Sequence, residues 1–404
     1  MDASPDADNP DFPRAELEKL AASGLLRTLK ALDGGSGGRV ARCGEPLVNF
    51  ASNDYLGLSR HPRVEEAMIE GTRKFGAGAG ASRLVCGSLP PHHALEAAIA
   101  EAKGTEAALT FSSGHATAIG CIPAIVGKDD VVILDKLSHA CLVDAARLSG
   151  ATIRVFPHNQ TGRLAGLLRK SRAATASRRI LVVTESVFSM DGDVCPLREI
   201  VELCEAHDAM LWLDEAHAIG VIGPEGLGLA AALGLQQRIT FQMGTLGKAL
   251  GLAGGYLAAS RDWIELMVNR ARSFVFSTAP PPSLAHAAVE ALAVCRSPEG
   301  VALRAALSRH ITAIAPAGHP SAIVPVVLGS NSAALEASAR LADAGFLVPA
   351  IRFPTVPRGG ARLRISLSAA HTGEEVAMLA AAMRAAGLPA QQPQASRHIS
   401  HADG

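Results

Sequence analysis

The sequence predicts an α/β fold in which a mostly parallel sheet carries helices on both faces. Three short runs are almost wholly apolar and end in polar residues, as expected for strands buried on both sides of a sheet: 131–135, 180–185 and 210–214. Segments with helical spacing, such as 96–103 and 199–207, alternate with such runs. Ligands of open α/β sheets bind beyond the carboxyl ends of the strands, so the polar residues there are the first candidates for a functional site.

The N-terminal part is predicted to be a helix followed by an arm. Residues 14–32 have amphipathic spacing, and a glycine-rich stretch, 34–38, follows them. A short strand is expected at 47–50, before a segment rich in turn-forming residues. The first dozen residues and those from 391 onward are polar and without periodicity, so we expect frayed tails.

The pattern of predicted strands and helices changes after residues 297–300. Strands are predicted at 323–327 and 362–367, and helices at 333–344 and 374–386, which indicates a small α+β unit. We therefore predict four parts, listed in order: an N-terminal helix and arm (1–58), a large domain (59–295), a smaller α+β C-terminal domain (296–390) and a tail (391–404).

Composition excludes several classes of function. The 404 residues contain 38 Lys+Arg and 38 Asp+Glu, so the basic excess that non-specific nucleic-acid binding requires is missing. Seven cysteines are scattered without a CxxC pair, which argues against a metal site or a disulfide framework. No apolar run approaches the ~18–20 residues that span a bilayer. We expect a cytoplasmic enzyme without a metal, a nucleic-acid partner or a membrane partner.

Two segments together predict a pyridoxal 5′-phosphate (PLP) site. Asp214 ends an apolar strand, and Lys248 lies in the glycine-rich loop 244–251. A partly desolvated lysine has a lowered pKa and becomes a usable nucleophile, and a strand-end aspartate suits the protonated ring nitrogen of this cofactor. A lone Gly-Lys loop is more often a surface turn. The string 214–217 also matches a helicase motif, but no phosphate-binding GxxxxGK[ST] loop precedes it.

Two further segments add candidates. Free amides at a helix start favour a phosphate, and 111–116 precedes a helical run that would offer the amides of Gly114 and His115. A simple serine cap of that helix is an equally good interpretation. His139 follows the strand ending at Asp135, where it would stack on a ring, although a lone histidine is usually structural.

Taken together, the chain resembles the α-oxoamine synthase family, whose members are fold-type I PLP-dependent transferases. The matching strings run in the right order from 20 to 386, and they are listed here: 49–59, 138–140, 184–193, 214–217, 245–248, 276–278 and 350–364. The resemblance implies a homodimer with shared active sites and a decarboxylative condensation of an amino acid with an acyl thioester.

The same resemblance implies roles for individual residues. Lys248 would hold the cofactor as a Schiff base and shuttle protons, Asp214 would pair with the ring nitrogen, and His139 would stack on the ring and assist as acid or base. His217 and Ser189 would lie near the phenolic oxygen of the ring. Two further groups are implied and listed here: the phosphate would be bound by Gly114, His115, Thr245 and, from the partner subunit, Ser277 and Thr278; the amino-acid carboxylate by Asn53 and Arg364.

Within the family, the strings 350–352 and 214–217 favour the branch that condenses L-alanine with a pimeloyl thioester in biotin synthesis. The glycine-using branches share the same cofactor residues and remain the alternative. Arg27 and Arg352 are candidates for the far end of the acyl chain, and a solvated helix face is the other interpretation of Arg27. The acyl carrier, coenzyme A or acyl carrier protein, stays open. Two residues depart from the family pattern, His115 for an aromatic residue and Cys86 for a small one.

Two other interpretations lie further away. An aminotransferase-like enzyme would use the same cofactor residues without a thioester. A non-catalytic partner subunit would lack the cofactor lysine, so the presence of Lys248 argues against it.

Overall fold

A computed structural model describes residues 11–34, 38–174 and 179–388. The predicted C-terminal tail, residues 1–10 of the predicted N-terminal tail and part of the glycine-rich stretch lie outside these ranges. The strands within them are β1 (Arg39–Arg42), β2 (Glu45–Asn49), β3 (Ala107–Phe111), β4 (Val131–Asp135), β5 (Thr152–Phe156), β6 (Ile180–Glu185), β7 (Met210–Asp214), β8 (Phe241–Thr245), β9 (Gly255–Ala259), β10 (Ile323–Gly329), β11 (Phe346–Leu347), β12 (Ala350–Ile351) and β13 (Ala361–Ser366).

The helices of the same ranges surround these strands. They are α1 (Phe12–Ala22), α2 (Pro62–Phe75), α3 (Pro90–Lys103), α4 (Gly114–Ile125), α5 (Ala140–Leu148), α6 (Thr161–Ala174), α7 (Leu197–Ala206), α8 (Leu229–Ala232), α9 (Arg261–Arg270), α10 (Arg272–Val275), α11 (Pro282–Arg296), α12 (Pro298–Ile314), α13 (Asn331–Asp343) and α14 (Gly373–Ala385). No helix in the described ranges is long and apolar enough to cross a membrane.

The central sheet has seven strands in the order β3-β9-β8-β7-β6-β4-β5. Strands β5, β4, β6, β7 and β8 pair in parallel, and only β9 runs against its two neighbours. This confirms the predicted mostly parallel sheet. The three apolar runs become β4, β6 and β7 with the predicted ends, because each of them is buried on both faces.

Side chains of these strands alternate between two cores, as the period of a strand requires. Val132 and Leu134 join the cluster under α4, α5 and α9, whereas Val131 and Ile133 join the cluster under α6 and α7. Trp212, at the centre of β7, is completely buried in the first cluster. Helices therefore cover both faces of the sheet. The carboxyl ends of β4, β6, β7 and β8 all lie along the same side of the sheet.

Two three-stranded sheets lie beside the central one. β10, β13 and β12 pair antiparallel, and β2 pairs with β1 on one side and with β11, in parallel, on the other. The amide of Ser366 also donates to the carbonyl of Phe50, which immediately follows β2. The arm after α1 is thus joined to residues near the C-terminus, while the division into four parts stays a prediction.

The predicted helix 14–32 is wrong at its C-terminal end. α1 stops at Ala22, and Gly24 adopts a left-handed conformation with φ +65°. Glycine reaches this conformation without steric cost and commonly terminates a helix. The amides of Leu25 and Leu26 then turn back onto the carbonyl of Leu20. The apolar spacing continues past Gly24 only in the sequence, because residues 25–32 form no helix.

Candidate active site

The carboxyl ends of the parallel strands bring acidic and basic groups together. Glu185 ends β6 and lies opposite Asp214, which ends β7, in the parallel register. Thr245 ends β8, and Lys248 follows in the loop that leads to β9. These residues come from separate parts of the chain, and the sheet topology alone makes them neighbours.

Lys248 is the first member of a chain of polar contacts. Its Nζ lies 2.7 Å from Nε2 of His217, and Nδ1 of His217 lies 2.7 Å from the hydroxyl of Tyr55. That hydroxyl donates to Oδ1 of Asn53 at 3.2 Å. If Lys248 donates to Nε2, the remaining ring proton of His217 lies on Nδ1 and points at Tyr55. The sequence predicted Lys248, His217 and Asn53 but missed Tyr55, which connects them.

Burial sets the protonation of this group. It lowers the pKa of Lys248 to about 8, although the nearby carboxylates Asp214 and Glu185 act in the opposite direction. Burial also lowers the pKa of His217 well below its usual range, with the lysine charge as a further cause. It raises the pKa of both carboxyls. A buried lysine amine that loses its proton near neutral pH is suited to act as a nucleophile or a base.

Arg364 lies beside this chain of contacts on β13. Its Nε donates to the carbonyl of Ser189 at 2.6 Å, and one terminal nitrogen donates to Asn53 Oδ1 at 3.1 Å and to the hydroxyl of Ser366. Among the described residues, the other terminal nitrogen has a single hydrogen-bond contact, a long one of 3.4 Å to the hydroxyl of Tyr55. The structure thus brings together the three predicted residues Asn53, Arg364 and Ser189 from distant parts of the sequence.

The start of α4 lies close to the end of β8. Ser113 caps the helix by accepting a hydrogen bond from the amide of Ala116, so the predicted serine cap is present. The first amides of a helix, here those of Gly114 and His115, have no intrahelical acceptor. A Cβ built on Gly114 would lie 3.9 Å from Oγ1 of Thr245, which places the two predicted phosphate contacts side by side.

His139 is the N-cap residue of α5 and lies next to the two strand-end carboxyls. Its amide donates to Oε1 of Glu185 at 2.5 Å. Its Nδ1 accepts from the amide of Cys141 at 3.2 Å, and the thiol of Cys141 lies 3.0 Å from the same nitrogen. Burial lowers the pKa of His139, so the ring is neutral with its proton on Nε2. Glu185 and Cys141 were missed by the sequence reasoning; only the strand-end position of Glu185 could have indicated it.

Arg27 and Arg352 connect the N-terminal arm to the loop after β12. Arg352 donates to the carbonyl of Gly24 at 2.5 Å, and Arg27 lies 3.4 Å from the hydroxyl of Thr355. The two residues predicted to bind the acyl chain therefore lie on two segments that contact each other, Arg27 on the arm and Arg352 on the loop after β12. No hydrogen bond among the described residues joins either of them to Lys248.

Ser277 and Thr278 follow α10. The hydroxyl of Ser277 donates to the carbonyl of Thr278, and Thr278 forms an isolated bridge with Ser82. Within the described ranges no hydrogen bond connects these two residues to Gly114 or to Thr245.

Comparisons with known proteins agree with this geometry. Residues 45–383 match the family model for aminotransferase class I and II. The chain is 50% identical over 396 residues to an 8-amino-7-oxononanoate synthase of Anaeromyxobacter dehalogenans, covering 96% of this chain and 98% of that protein. It is 45% identical over 381 residues to the enzyme of the same name from Geobacter sulfurreducens, covering 92% and 97%.

Solved structures show the same fold. A serine palmitoyltransferase from S. paucimobilis with a bound PLP–myriocin aldimine is 31% identical, with a TM-score of 0.86 over 93% of this chain and 98% of that one. The structure of an 8-amino-7-oxononanoate synthase from Francisella tularensis is 24% identical, with a TM-score of 0.69 over 85% and 99%, and supports the fold alone. The chain therefore belongs to the class I and II aminotransferase family, in the group of the 8-amino-7-oxononanoate synthases.

Proposed function

We propose that this chain condenses L-alanine with a pimeloyl thioester, with loss of CO2, to form 8-amino-7-oxononanoate in biotin biosynthesis. The observation that carries the proposal is that the amine of Lys248, the buried carboxyl of Asp214 and the guanidinium of Arg364 come together beyond the carboxyl ends of the central strands. Relatives 43–50% identical over at least 89% of the chain carry the name of this activity. The chemistry and the sequence similarity thus indicate the same reaction.

The residues at the sheet edge fit PLP. A Cβ on Gly255 would lie 2.6 Å from the amide nitrogen of Gly114, so the glycine lets β9 pack directly against the start of α4 and fix the position of its first amides, which can bind a phosphate. Asp214 uses Oδ1 for the amide of Ala216 and keeps its other oxygen for the ring nitrogen. PLP, when bound, supplies an electron sink for negative charge at the amino-acid Cα. We propose Gly114, His115 and Thr245 as the phosphate contacts.

Lys248 is the proposed proton carrier. A pKa of about 8 leaves on the order of a tenth of the amine unprotonated at pH 7, enough to accept a proton. His217 accepts a hydrogen bond from Nζ and so orients the amine without competing for its proton, since its own pKa is low. Tyr55 holds the other side of that imidazole. We propose that this arrangement keeps the amine aimed at the cofactor and the amino-acid Cα.

Arg364 is the proposed site for the amino-acid carboxylate. Three of its contacts, those to Ser189, Asn53 and Ser366, fix the plane of the guanidinium. The terminal nitrogen that faces Tyr55 keeps donor capacity for a carboxylate. A guanidinium suits this task because its donors match the two oxygens of a carboxylate. Asn53 lies next to it and is the second proposed contact.

His139 is the proposed donor to the thioester carbonyl and the proposed ring-stacking residue. Because Nδ1 accepts from the amide of Cys141, Nε2 carries the proton and acts as a donor. Glu185 fixes the backbone of His139. Arg27 and Arg352 are the proposed contacts of the carboxyl or ester at the far end of the pimeloyl chain, since a cationic pair there suits an anionic or polar terminus.

We also propose a cytoplasmic homodimer with shared sites. Val85 and Phe276 are 79% and 72% exposed, and they flank the bridge between Ser82 and Thr278. Contiguous patches of exposed apolar side chains are typical of interaction surfaces. A second copy on this surface would bring Ser277 and Thr278 to the phosphate of its neighbour. Sedimentation of the wild-type protein and the PLP affinity of Thr278→Val test this proposal.

The decisive experiment compares substrates on the PLP-loaded protein. L-Alanine with pimeloyl-CoA, and separately with pimeloyl acyl carrier protein, is expected to release CO2 and give 8-amino-7-oxononanoate by mass spectrometry. Lys248→Ala should abolish turnover, and Lys170→Ala, at an exposed lysine of α6, should leave it unchanged. Turnover of glycine with acetyl-CoA or succinyl-CoA and none of alanine would assign the chain to a glycine-using branch. Conversion of 2-oxo acids without any thioester would indicate an aminotransferase.

A further inference from the structure

A charged cluster around His158 lies outside the residues that the proposed reaction uses. His158 follows β5, the edge strand of the central sheet, and its imidazole has a carboxylate on each side. Nδ1 lies 2.9 Å from Oδ1 of Asp135, and Nε2 lies 2.7 Å from Oδ2 of Asp193. The ring meets Phe188 edge to face, with the centroids 4.3 Å apart. This histidine therefore connects the end of β4 with the loop 186–194 that follows β6.

Both contacts require a protonated ring. A neutral imidazole has a single N–H, so one of its nitrogens would turn a lone pair toward a carboxylate oxygen. Burial acts to lower the pKa of His158, but the hydrogen bonds to Asp135 and Asp193 raise it to about 10. The imidazolium thus stays charged over the whole range in which the enzyme would work, and it compensates two carboxylates that would otherwise repel each other.

The same carboxylates are held by neighbouring groups. The amides of Leu137 and Asn159 donate to Asp135, and the side-chain amide of Asn159 donates to Oδ2 of Asp193 at 3.2 Å and to the carbonyl of Val194 at 3.1 Å. His158 and Asn159 together attach the far end of the loop 186–194 to the central sheet. The part of this attachment that depends on charge is the contact between the carboxylate of Asp193 and the imidazolium of His158.

The loop 186–194 reaches the arginines of β13. The carbonyl of Ser189 accepts from Nε of Arg364 at 2.6 Å, and Asp191 accepts from Arg362 at 2.6 Å. The loop closes on itself because the amide of Phe188 donates to the carbonyl of Asp193 at 3.0 Å. Displacement of Asp193 would therefore move Ser189 and, through its carbonyl, the guanidinium of Arg364.

We propose that His158 is a positioning residue: as an imidazolium shared by Asp135 and Asp193, it fixes the loop 186–194 and thereby sets Arg364 for the carboxylate of the amino-acid substrate. The proposal rests on the proposed function for the identity of that substrate, and on the contacts alone for the fixing of the loop. His158 touches neither the lysine nor the candidate phosphate contacts through any hydrogen bond of the described residues.

His158→Gln separates charge from hydrogen bonding. Glutamine can donate to one carboxylate but leaves both carboxylates without a cation, so the loop should be released. His158→Gln combined with Asp193→Asn restores a neutral pair, in which Gln donates to Asp135 and accepts from the new amide. His61→Gln is the matched control, because His61 also contacts a carboxylate, that of Glu299, on the helical surface. If His158→Gln does not fold, Asp193→Asn alone removes one of the two carboxylate contacts and takes its place.

Two measurements are made on the same proteins. Hydrogen exchange of the peptide that spans 186–194, in the cofactor-free protein, reports the loop directly. Steady-state kinetics of the PLP-loaded protein report KM for L-alanine and for the pimeloyl thioester separately. We expect His158→Gln to speed the exchange and to raise KM for L-alanine about tenfold to hundredfold, since small misplacements of a positioning group have effects of this size. KM for the thioester should stay unchanged, and the double variant should recover both properties.

Other outcomes overturn the proposal in separate ways. Unchanged exchange and unchanged KM for L-alanine would show that the cluster does not hold the loop. Faster exchange with an equal rise in both KM values, or an equal effect of His61→Gln, would show a general structural role only. If the wild-type enzyme turns over no alanine, the proposed function fails, and the exchange of the loop, with its recovery in the double variant, then decides the positioning role alone.

Discussion

Replacement of Lys103 by methionine tests the buried ion pair beneath the strand end that carries Asp214. The side chains of Lys103 and Glu215 are 1% and 0% exposed, and the ammonium of Lys103 donates to the carboxylate of Glu215 and, at 2.8 Å, to the carbonyl of Leu227. The other oxygen of Glu215 accepts from the amide of Ala230 at 3.0 Å. Two of these three hydrogen bonds end on Glu215, which directly follows Asp214 in the chain.

The expected loss in the free energy of unfolding follows from the contacts that remain after the lysine is removed. Methionine fills the space, but Glu215 keeps a single hydrogen bond and no cation in a fully buried site. Removal of one partner of a buried pair costs about 3–5 kcal/mol. In Lys103→Met with Glu215→Gln no charge is left, the bond to Ala230 is retained, and the main loss is the donor to Leu227, which costs about 1–3 kcal/mol. The double variant should therefore be more stable than Lys103→Met alone.

Urea unfolding of the cofactor-free protein measures these differences by linear extrapolation. Arg63→Met is the control, because Arg63 and its partner Glu290 form a pair that is partly exposed, 52% and 31%. Exposed pairs contribute about 0–1 kcal/mol. A loss under about 1 kcal/mol for Lys103→Met, or additive losses in the double variant, would refute the reasoning, since either result means that no uncompensated charge remains in the interior.

Three further outcomes are expected. The rate at which the cofactor-free protein takes up PLP, followed by absorbance, should rise with pH to a midpoint of about 8, because an amine attacks only when it is unprotonated. A midpoint near the ordinary lysine pKa would contradict the lowered pKa of Lys248. His158 has a raised pKa in the folded state, so its contribution to stability is complete below the ordinary histidine pKa and is lost as pH rises toward about 10; the difference in unfolding free energy between wild type and His158→Gln should shrink over that range, and a constant difference would refute it. Gly255→Ala should weaken PLP binding at least about tenfold in an equilibrium titration, because its Cβ would lie 2.6 Å from the amide of Gly114, whereas Gly127→Ala, where a Cβ meets nothing within 4 Å, should not; equal affinities would argue against a phosphate there.

The strands that position the site could be predicted from local sequence. Apolar runs buried on both faces carry a strong signal, and β4, β6 and β7 have the predicted ends. Asp214 and Lys248 could be chosen because the end of an apolar strand and a glycine-flanked lysine are visible in the sequence itself. The local sequence pattern is therefore enough to predict a site residue that lies at the end of an apolar strand.

Contacts between distant segments could not be predicted in the same way. Tyr55 meets His217 across 162 positions of the chain, and nothing in the spacing of either residue indicates the other. The end of α1 depends on the conformation of Gly24, which apolar periodicity does not register. The resemblance to a family identified Asn53 and Arg364, but only the fold shows that Tyr55 lies between them and the lysine.

The two strand-end carboxyls are neighbours, but their surroundings differ. Glu185 and Asp214 lie side by side in parallel register, and burial together with their mutual repulsion opposes ionisation of both at once. One oxygen of Glu185 accepts a hydrogen bond from the amide of His139, and this contact fixes the start of α5. Asp214 has a larger effect than Glu185 in counteracting the lowered pKa of Lys248. A protonated ring nitrogen placed beside Asp214 would favour its ionised form, so binding of PLP itself would assign the charge to Asp214 and leave Glu185 as the neutral, structural member of the pair.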